Sequence, residues 1–433
     1  METERFSMEI TCAPTPPRPE QSRNDDRLSI LSLFQTPSLF QMPSLFQVPS
    51  LFLILSSFLV LFPAVAMANN PALIPAPPQI NAKSYVLMDA SSGEVIVENN
   101  ADARLPPASL TKMMTSYIVE YEAERGNISM DDQVLISVNA WKTGGSKMFI
   151  KEGTRVSLQD LLRGIIIQSG NDASIAVAEH IAGSEDAFAD IMNQHAKLLH
   201  MDNSSFRNAT GLPSEEHYSS ALDMALLAKA IIFDFPDHYS LYKEKYFTYN
   251  KIRQPNRNRL LWRDKSVDGL KTGHTSAAGF CLVASALRDN MRLISVVMGT
   301  DSEAARARET QKLLNYGFRY YESINPYQSG EELKTGKVWG GVAEQVKLGL
   351  ANDVFLTIYK GQKESLETAW DIDTVIKAPV NTGDVLGSLK IRLGQDVLVE
   401  EPLLALEPVE EAGFFKRLWD MIKLFFVQLF AAS

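Results

Sequence analysis

Two strand-like segments nearly two hundred residues apart, with helical sequence between them, constrain this chain more than any other feature. From Tyr85 to Val97 the run Tyr-Val-Leu-Met-Asp-Ala-Ser-Ser-Gly-Glu-Val-Ile-Val reads as two short strands around a Ser-Ser-Gly turn. A second strand pair appears only at Gly279–Ala286 and Arg292–Met298. Between them the apolar periodicity predicts helices at Leu110–Ala123, Leu158–Ile167, Ala173–Ala182, Ala187–Leu199 and Ser220–Ile232, and a helix at Ser302–Tyr321 closes the segment. Strands at both ends with helices between them predict one antiparallel sheet flanked by helices, an α+β domain.

After Asn325-Pro326 the helical signal stops. Alternating stretches at Gly340–Leu348, Val354–Ile358, Asp371–Ala378 and Asp396–Leu403, separated by Gly, Pro and Asn turns, predict a small all-β module. The expected organisation is a leader over 1–68, a main domain over 69–321, a β domain over 322–408 and a tail over 409–433. In the tail, Lys416, Arg417, Asp420, Lys423 and Gln428 fall on one side of a helical projection. Phe414, Phe415, Leu418, Trp419, Met421, Ile422, Phe425, Phe426, Leu429 and Phe430 cover the other, as in a helix lying in a membrane interface.

At the other end, residues 51–62 form an apolar run followed by Pro63 and Ala66-Met67-Ala68. That run is short of the ~20 residues needed to span a bilayer, so it reads as a secretory signal cleaved before Asn69. Ahead of it, Ser-Leu-Phe-Gln-x-Pro recurs from Ser32, Ser38 and Ser44, and acidic groups outnumber basic ones over the first 28 residues. This is a poor signal start and leaves the start of translation open.

The 433 residues carry a formal net charge of −10, which disfavours a nucleic-acid partner bound through its phosphates. Two cysteines, Cys12 and Cys281, make neither a disulfide framework nor a four-ligand zinc site, and no His-Glu-x-x-His spacing occurs. Chemistry without a metal or cofactor is therefore expected.

Three short motifs carry that chemistry. Ser109-Leu110-Thr111-Lys112 places a hydroxyl and an amine one turn apart on a helix start, the geometry of a nucleophile and its base. Ser169-Gly170-Asn171 offers a hydroxyl and an amide on a short connection. Lys271-Thr272-Gly273 presents a cation, a hydroxyl and a close-approach glycine at a strand edge, where a substrate carboxylate can bind. Each motif alone is weak: Ser240-Leu241-Tyr242-Lys243 repeats the first, Ser137-Val138-Asn139 the second, and Lys142-Thr143-Gly144 and Lys334-Thr335-Gly336 the third.

In this order, with gaps of about 60 and 100 residues, the motifs resemble those of the penicillin-recognising serine acyl-transferases. The extended runs Ala108-Ser109-Leu110-Thr111-Lys112-Met113-Met114-Thr115, Ser169-Gly170-Asn171-Asp172-Ala173 and Asp268-Gly269-Leu270-Lys271-Thr272-Gly273-His274-Thr275 are similar to those of low-molecular-mass penicillin-binding proteins. The type is the D-alanyl-D-alanine carboxypeptidase of the penicillin-binding protein 5/6 kind. The resemblance covers nearly all of residues 69–433, tail included, and implies a penicillin-binding-type catalytic domain.

It also implies Ser109 as the acylated nucleophile, Lys112 as proton acceptor, and Ser169 with Asn171 as a second wall and relay. Lys271 and Thr272 would hold a terminal carboxylate beside Gly273, and the backbone N–H groups of Ser109 and His274 would form an oxyanion hole. Arg306 and Arg257 match arginines near the site. The implied substrate is the peptidoglycan stem pentapeptide, with β-lactams as covalent inhibitors. The implied location is the periplasmic face of the inner membrane, held by the tail, with cell-wall enzymes or a second copy of the chain as further partners.

Ser276 stands where the family usually has Asp, and the loop Trp141–Lys147 has its own composition. A class A β-lactamase shares the motif order but needs Glu-x-x-Leu-Asn, which is absent from the sequence. A DD-endopeptidase of the same superfamily would carry the same motifs. A non-catalytic peptidoglycan-binding scaffold would have no reason to keep Ser109, Lys112, Ser169, Asn171 and Lys271 together.

Overall fold

The computed structural model describes residues 75–431. The apolar run at 51–62, the Ser-Leu-Phe-Gln-x-Pro repeats and the Ala66-Met67-Ala68 site lie outside the described residues. Strands β1 (Ser84–Asp89) and β2 (Val95–Asn99) form the opening hairpin, while β3 (Val267–Thr275), β4 (Gly279–Arg288) and β5 (Met291–Thr300) come from the far end of the domain. They make one antiparallel sheet in the order β2-β1-β5-β4-β3, so the two distant strand groups meet at the β1–β5 pairing.

Strand alternation divides the core between the two faces of this sheet. Val86, Met88, Val283, Ile294 and Val296 face the helical layer of residues 112–234. Leu87, Leu282, Ala284, Leu293 and Val297 face the opposite way, against the closing helix Glu303–Tyr320. Five helices start on a serine at residues 137, 157, 184, 220 and 302, whose hydroxyl accepts a backbone N–H from the first turn. Each cap satisfies a donor that the helix itself leaves orphaned.

Two predicted helices differ in ways that matter for the site. The segment from Leu110 begins as a tight 3₁₀ turn, Ala108–Thr111, and becomes α-helical only at Lys112, running to Glu124. The segment from Leu158 is α-helical only to Arg163; Gly164–Gln168 then widens into a π turn that ends at Ser169 with φ 65°. Gly164 packs there against Met148, whose sulfur lies where a Cβ would stand.

Beyond Tyr320 the regular elements up to the tail are β-strands apart from a short 3₁₀ turn at Lys363–Ser365. Tyr321–Tyr327 pairs with Val354–Tyr359, and six further strands form a second sheet. Gly340 lies in the turn between strands Lys334–Trp339 and Gln345–Gly349 rather than inside one strand, its φ of 72° suiting the turn. The last helix, Phe414–Ala431, lies along this module. Leu424 is buried, Gly340 N–H donates to Asp420 Oδ2 at 3.2 Å, and Lys416 Nζ donates to the Val342 carbonyl at 3.0 Å. Phe415, Trp419 and Phe426 remain exposed, and no helix among the described residues is long and apolar enough to cross a membrane.

Candidate active site

The 3₁₀ turn that carries Ser109 sits against the edge strand β3. Gly273 makes this approach possible, since a Cβ there would lie 2.9 Å from the Pro107 carbonyl oxygen and 3.3 Å from Ala108 Cβ. The Lys-Thr-Gly tripeptide is therefore part of the edge strand itself rather than the lead-in to the strand at Gly279.

Seven of the ten residues singled out from the sequence line one cleft of about 750 Å³: Ser109, Ser169, Arg257, Thr272, Gly273, His274 and Arg306. The remaining three lie beneath its floor. Lys112, Asn171 and Lys271 are buried and reach the cleft through hydrogen bonds. Two of the competing matches lie elsewhere: Tyr242 of the second Ser-x-x-Lys is packed in the core, and Lys334 is on the β module.

Lys112 Nζ is 3.3 Å from Ser109 Oγ and 2.7 Å from Asn171 Oδ1, and it also donates to the Thr210 carbonyl. Burial pulls its ammonium down from 10.5 to about 7; Arg257 pushes the same way, while Asp172 and Glu185 push back. A neutral amine has two N–H bonds, and the carbonyl oxygens of Asn171 and Thr210 take both. Its lone pair then faces the Ser109 hydroxyl, the arrangement a general base requires.

Lys271 Nζ donates to Ser169 Oγ at 2.8 Å and to the Thr272 carbonyl at 3.0 Å. Burial, and then the neighbouring cations Lys112, Arg257 and Arg306, hold its ammonium well below the ordinary lysine value. A bound carboxylate would restore that charge, so the site is primed for an anion. Arg306 Nη1 donates to the Gly273 carbonyl at 3.2 Å, and His274 stacks on Phe280 with ring centres 3.9 Å apart.

Several supporting groups had no role in the sequence reading. Asp172 accepts from the backbone N–H groups of Met148, Phe149 and Ile150, pinning the segment that follows the 141–147 loop. Asn171 Nδ2 donates to the Gly144 carbonyl at 2.7 Å, so the loop holding the stray Lys-Thr-Gly at 142–144 borders the site. His217, pushed down to about 4 by burial, is neutral. Its Nδ1 accepts from Arg207 N–H, which leaves Nε2–H to donate to Thr111 Oγ1 at 2.8 Å. Asp172 stands inside a quoted motif and was within reach of sequence reasoning; His217 and the Thr210 carbonyl carry no local signal. Cys281 is buried, its thiol pushed up to about 11, so it is packing rather than chemistry.

The profile of the D-alanyl-D-alanine carboxypeptidases matches residues 72–302, and that of the penicillin-binding protein 5 C-terminal domain matches residues 321–411. The chain belongs to the D-alanyl-D-alanine carboxypeptidase family. It is 44% identical to the carboxypeptidase DacC of Escherichia coli over 363 residues, which are 82% of this chain and 91% of that protein. The crystal structure of penicillin-binding protein 5 from Haemophilus influenzae is 44% identical, with a TM-score of 0.75 over 78% of this chain and 100% of that one. Penicillin-binding protein D2 of Listeria monocytogenes, solved in its ampicillin-bound form, is 28% identical over 56% of this chain and 100% of its own, with a TM-score of 0.52.

Proposed function

We propose that this family member is an exported serine carboxypeptidase that removes the terminal D-alanine from peptidoglycan stem pentapeptides. The observation that carries it is the buried Lys112 amine, 3.3 Å from Ser109 Oγ with both of its protons engaged elsewhere. Ser109 attacks the carbonyl between the two D-alanines as Lys112 takes its proton. The backbone N–H groups of Ser109 and His274 stabilise the oxyanion, each such donor contributing on the order of 3 kcal/mol. Lys271, Thr272 and Arg306, with Arg257 nearby, hold the terminal carboxylate, and Ser169 passes a proton to the departing amine. Water then cleaves the acyl-enzyme.

A β-lactam acylates Ser109 in the same way, but its leaving nitrogen stays tethered and the adduct persists. The 44% identity to curated carboxypeptidases over most of the chain supports this reading, as does the ampicillin complex of a relative. Labelling with a fluorescent penicillin and D-alanine release from a pentapeptide should both occur in the wild type and vanish in Ser109→Ala. A wild-type protein that forms no acyl-enzyme overturns the proposal.

The exposed aromatic residues of Phe414–Ala431, together with Lys416, Arg417 and Lys423, suit an anionic membrane surface. In this scheme the tail keeps the enzyme on the periplasmic face of the inner membrane, and the β module acts as a spacer or partner platform. Deleting residues 413–433 should release soluble, active enzyme; protein that still sediments with membranes rules the tail out as the anchor.

A further inference from the structure

One of the two carbonyls that orient Lys112 belongs to no motif. Thr210 lies in an irregular segment over 206–211, and its carbonyl accepts from Lys112 Nζ. One residue earlier, the Ala209 carbonyl accepts from Thr115 Oγ1 at 2.8 Å. Lys112 and Thr115 are three apart on the helix Lys112–Glu124, so one face of that helix grips two consecutive carbonyls of the segment. Where this segment sits therefore decides where the lone pair of the amine points.

A second helix, Glu185–Leu198, holds the same segment. Asn193 Oδ1 accepts the Phe206 N–H at 2.8 Å and its Nδ2 donates to the Phe206 carbonyl at 2.8 Å. Glu185 Oε1 accepts the Ala209 N–H at 3.0 Å. The helix does not need that carboxylate as its cap, since Ser184 Oγ already accepts from Ala187 N–H at 3.2 Å. Asn208 Oδ1 closes the turn, accepting from the N–H groups of Thr210 at 3.1 Å and Gly211 at 2.7 Å. Glu185 thus reaches Lys112 through a single residue and is also a charge near it. Arg257 and Lys271 are the cations facing that amine, Asp172 and Glu185 the anions, and His217 is neutral. Burial raises the Glu185 carboxyl and its Ala209 bond opposes this; Asp186 and Glu179 then push up and Lys112 down.

Building on the reading of Lys112 as the base, we propose that Glu185 is a positioning residue for acylation. Its carboxylate fixes the Ala209–Thr210 unit that turns the Lys112 lone pair toward Ser109, and its negative charge acts on the same amine. The two effects separate by substitution. Glu185→Gln keeps an oxygen for the Ala209 N–H and loses the charge, whereas Glu185→Ala loses both. An anion beside the amine favours the ammonium, so removing it lowers the pH at which the amine is half protonated.

The test is the second-order rate of fluorescent-penicillin labelling of the full-length enzyme from pH 5 to 9, with thermal unfolding recorded at each pH. In Glu185→Gln the rate at pH 8 should stay within about twofold of the wild type, while the acidic limb moves down by about half a unit. Labelling at pH 5.5 would then be about threefold faster than in the wild type. In Glu185→Ala the limb should move the same way and the rate at pH 8 should fall about tenfold, as a misplaced base requires. An acidic limb that stays in place in Glu185→Gln overturns the proposal, as does a folded Glu185→Ala that labels at the wild-type rate at pH 8. If Glu185→Ala does not fold, the Glu185→Gln profile decides alone. A wild type with no acidic limb overturns Lys112 as the base, and this role of Glu185 with it.

Discussion

Acidification should shut off acylation of Ser109 by protonating Lys112. At an ordinary lysine value of 10.5, about 3 in 10⁴ amines are neutral at pH 7, whereas at about 7 half of them are. Burial and Arg257 together therefore raise the concentration of competent base about 10³-fold, worth about 5 kcal/mol. Below pH 7 the neutral fraction falls about tenfold per unit, so acylation at pH 5.5 should be about 30 times slower than at pH 8.

The assay is the second-order rate of fluorescent-penicillin labelling from pH 5 to 9, with thermal unfolding recorded at each pH. Lys271 must stay protonated to hold the carboxylate, so a basic limb should appear below 10.5, and the two limbs report apparent constants of the pair. Arg257→Gln removes a cation that pushes Lys112 down and should move the acidic limb to higher pH. The same depression has a stability consequence: between about 7 and 10.5 the unfolded chain binds a proton that the folded chain does not, so Lys112 makes stability rise with pH there. Labelling that stays constant from pH 8 to 5.5, in protein that remains folded, refutes Lys112 as the base.

Two other substitutions probe the frame. Gly211 has φ +78°, and a Cβ there would lie 1.8 Å from the Ala108 carbonyl oxygen. Gly211→Ala should thus displace the turn bearing Ser109, cost more than ~3 kcal/mol in denaturant unfolding and slow acylation; a loss under 0.5 kcal/mol would contradict this packing. Glu120 is fully buried, and neither carboxyl oxygen has a hydrogen-bond partner among the described residues. Burial raises its pKa well above 4.5, so the folded chain keeps a proton that the unfolded chain releases, and stability falls as pH rises above that value. Glu120→Leu should add ~1–3 kcal/mol and flatten the pH dependence of the unfolding midpoint between 5 and 8; a destabilised variant would show an unseen partner for the acid.

Much of the architecture was legible from pattern alone. The strand runs at 85–88, 279–286 and 292–298 are apolar almost throughout because both sheet faces are buried, and serine caps mark helix starts such as those at 184, 220 and 302. In the β module, strands Lys334–Trp339 and Val385–Leu393 escaped detection, because lysine, glycine and serine interrupt their alternation. Their pairing is set by neighbouring strands rather than by local preference. The outer rim of the cleft was also invisible: Arg259, Trp262 and Glu303 lie far from the motifs or between them, and only packing gathers them beside Ser109.

From the sequence alone came the candidate reactive groups and their order, because Ser-x-x-Lys spacing is a property of one helical turn and needs no distant partner. Tertiary structure decided which of the repeated tripeptides meets the cleft. Lys271 rather than Lys142 or Lys334 meets Ser169, because β3 is the sheet edge that runs beside the 3₁₀ turn. It also decided reactivity. A lysine becomes a base at neutral pH only when it is taken out of water beside another cation, and that burial is assembled from the helix of Lys112, the π turn ending at Ser169 and the Thr210 carbonyl.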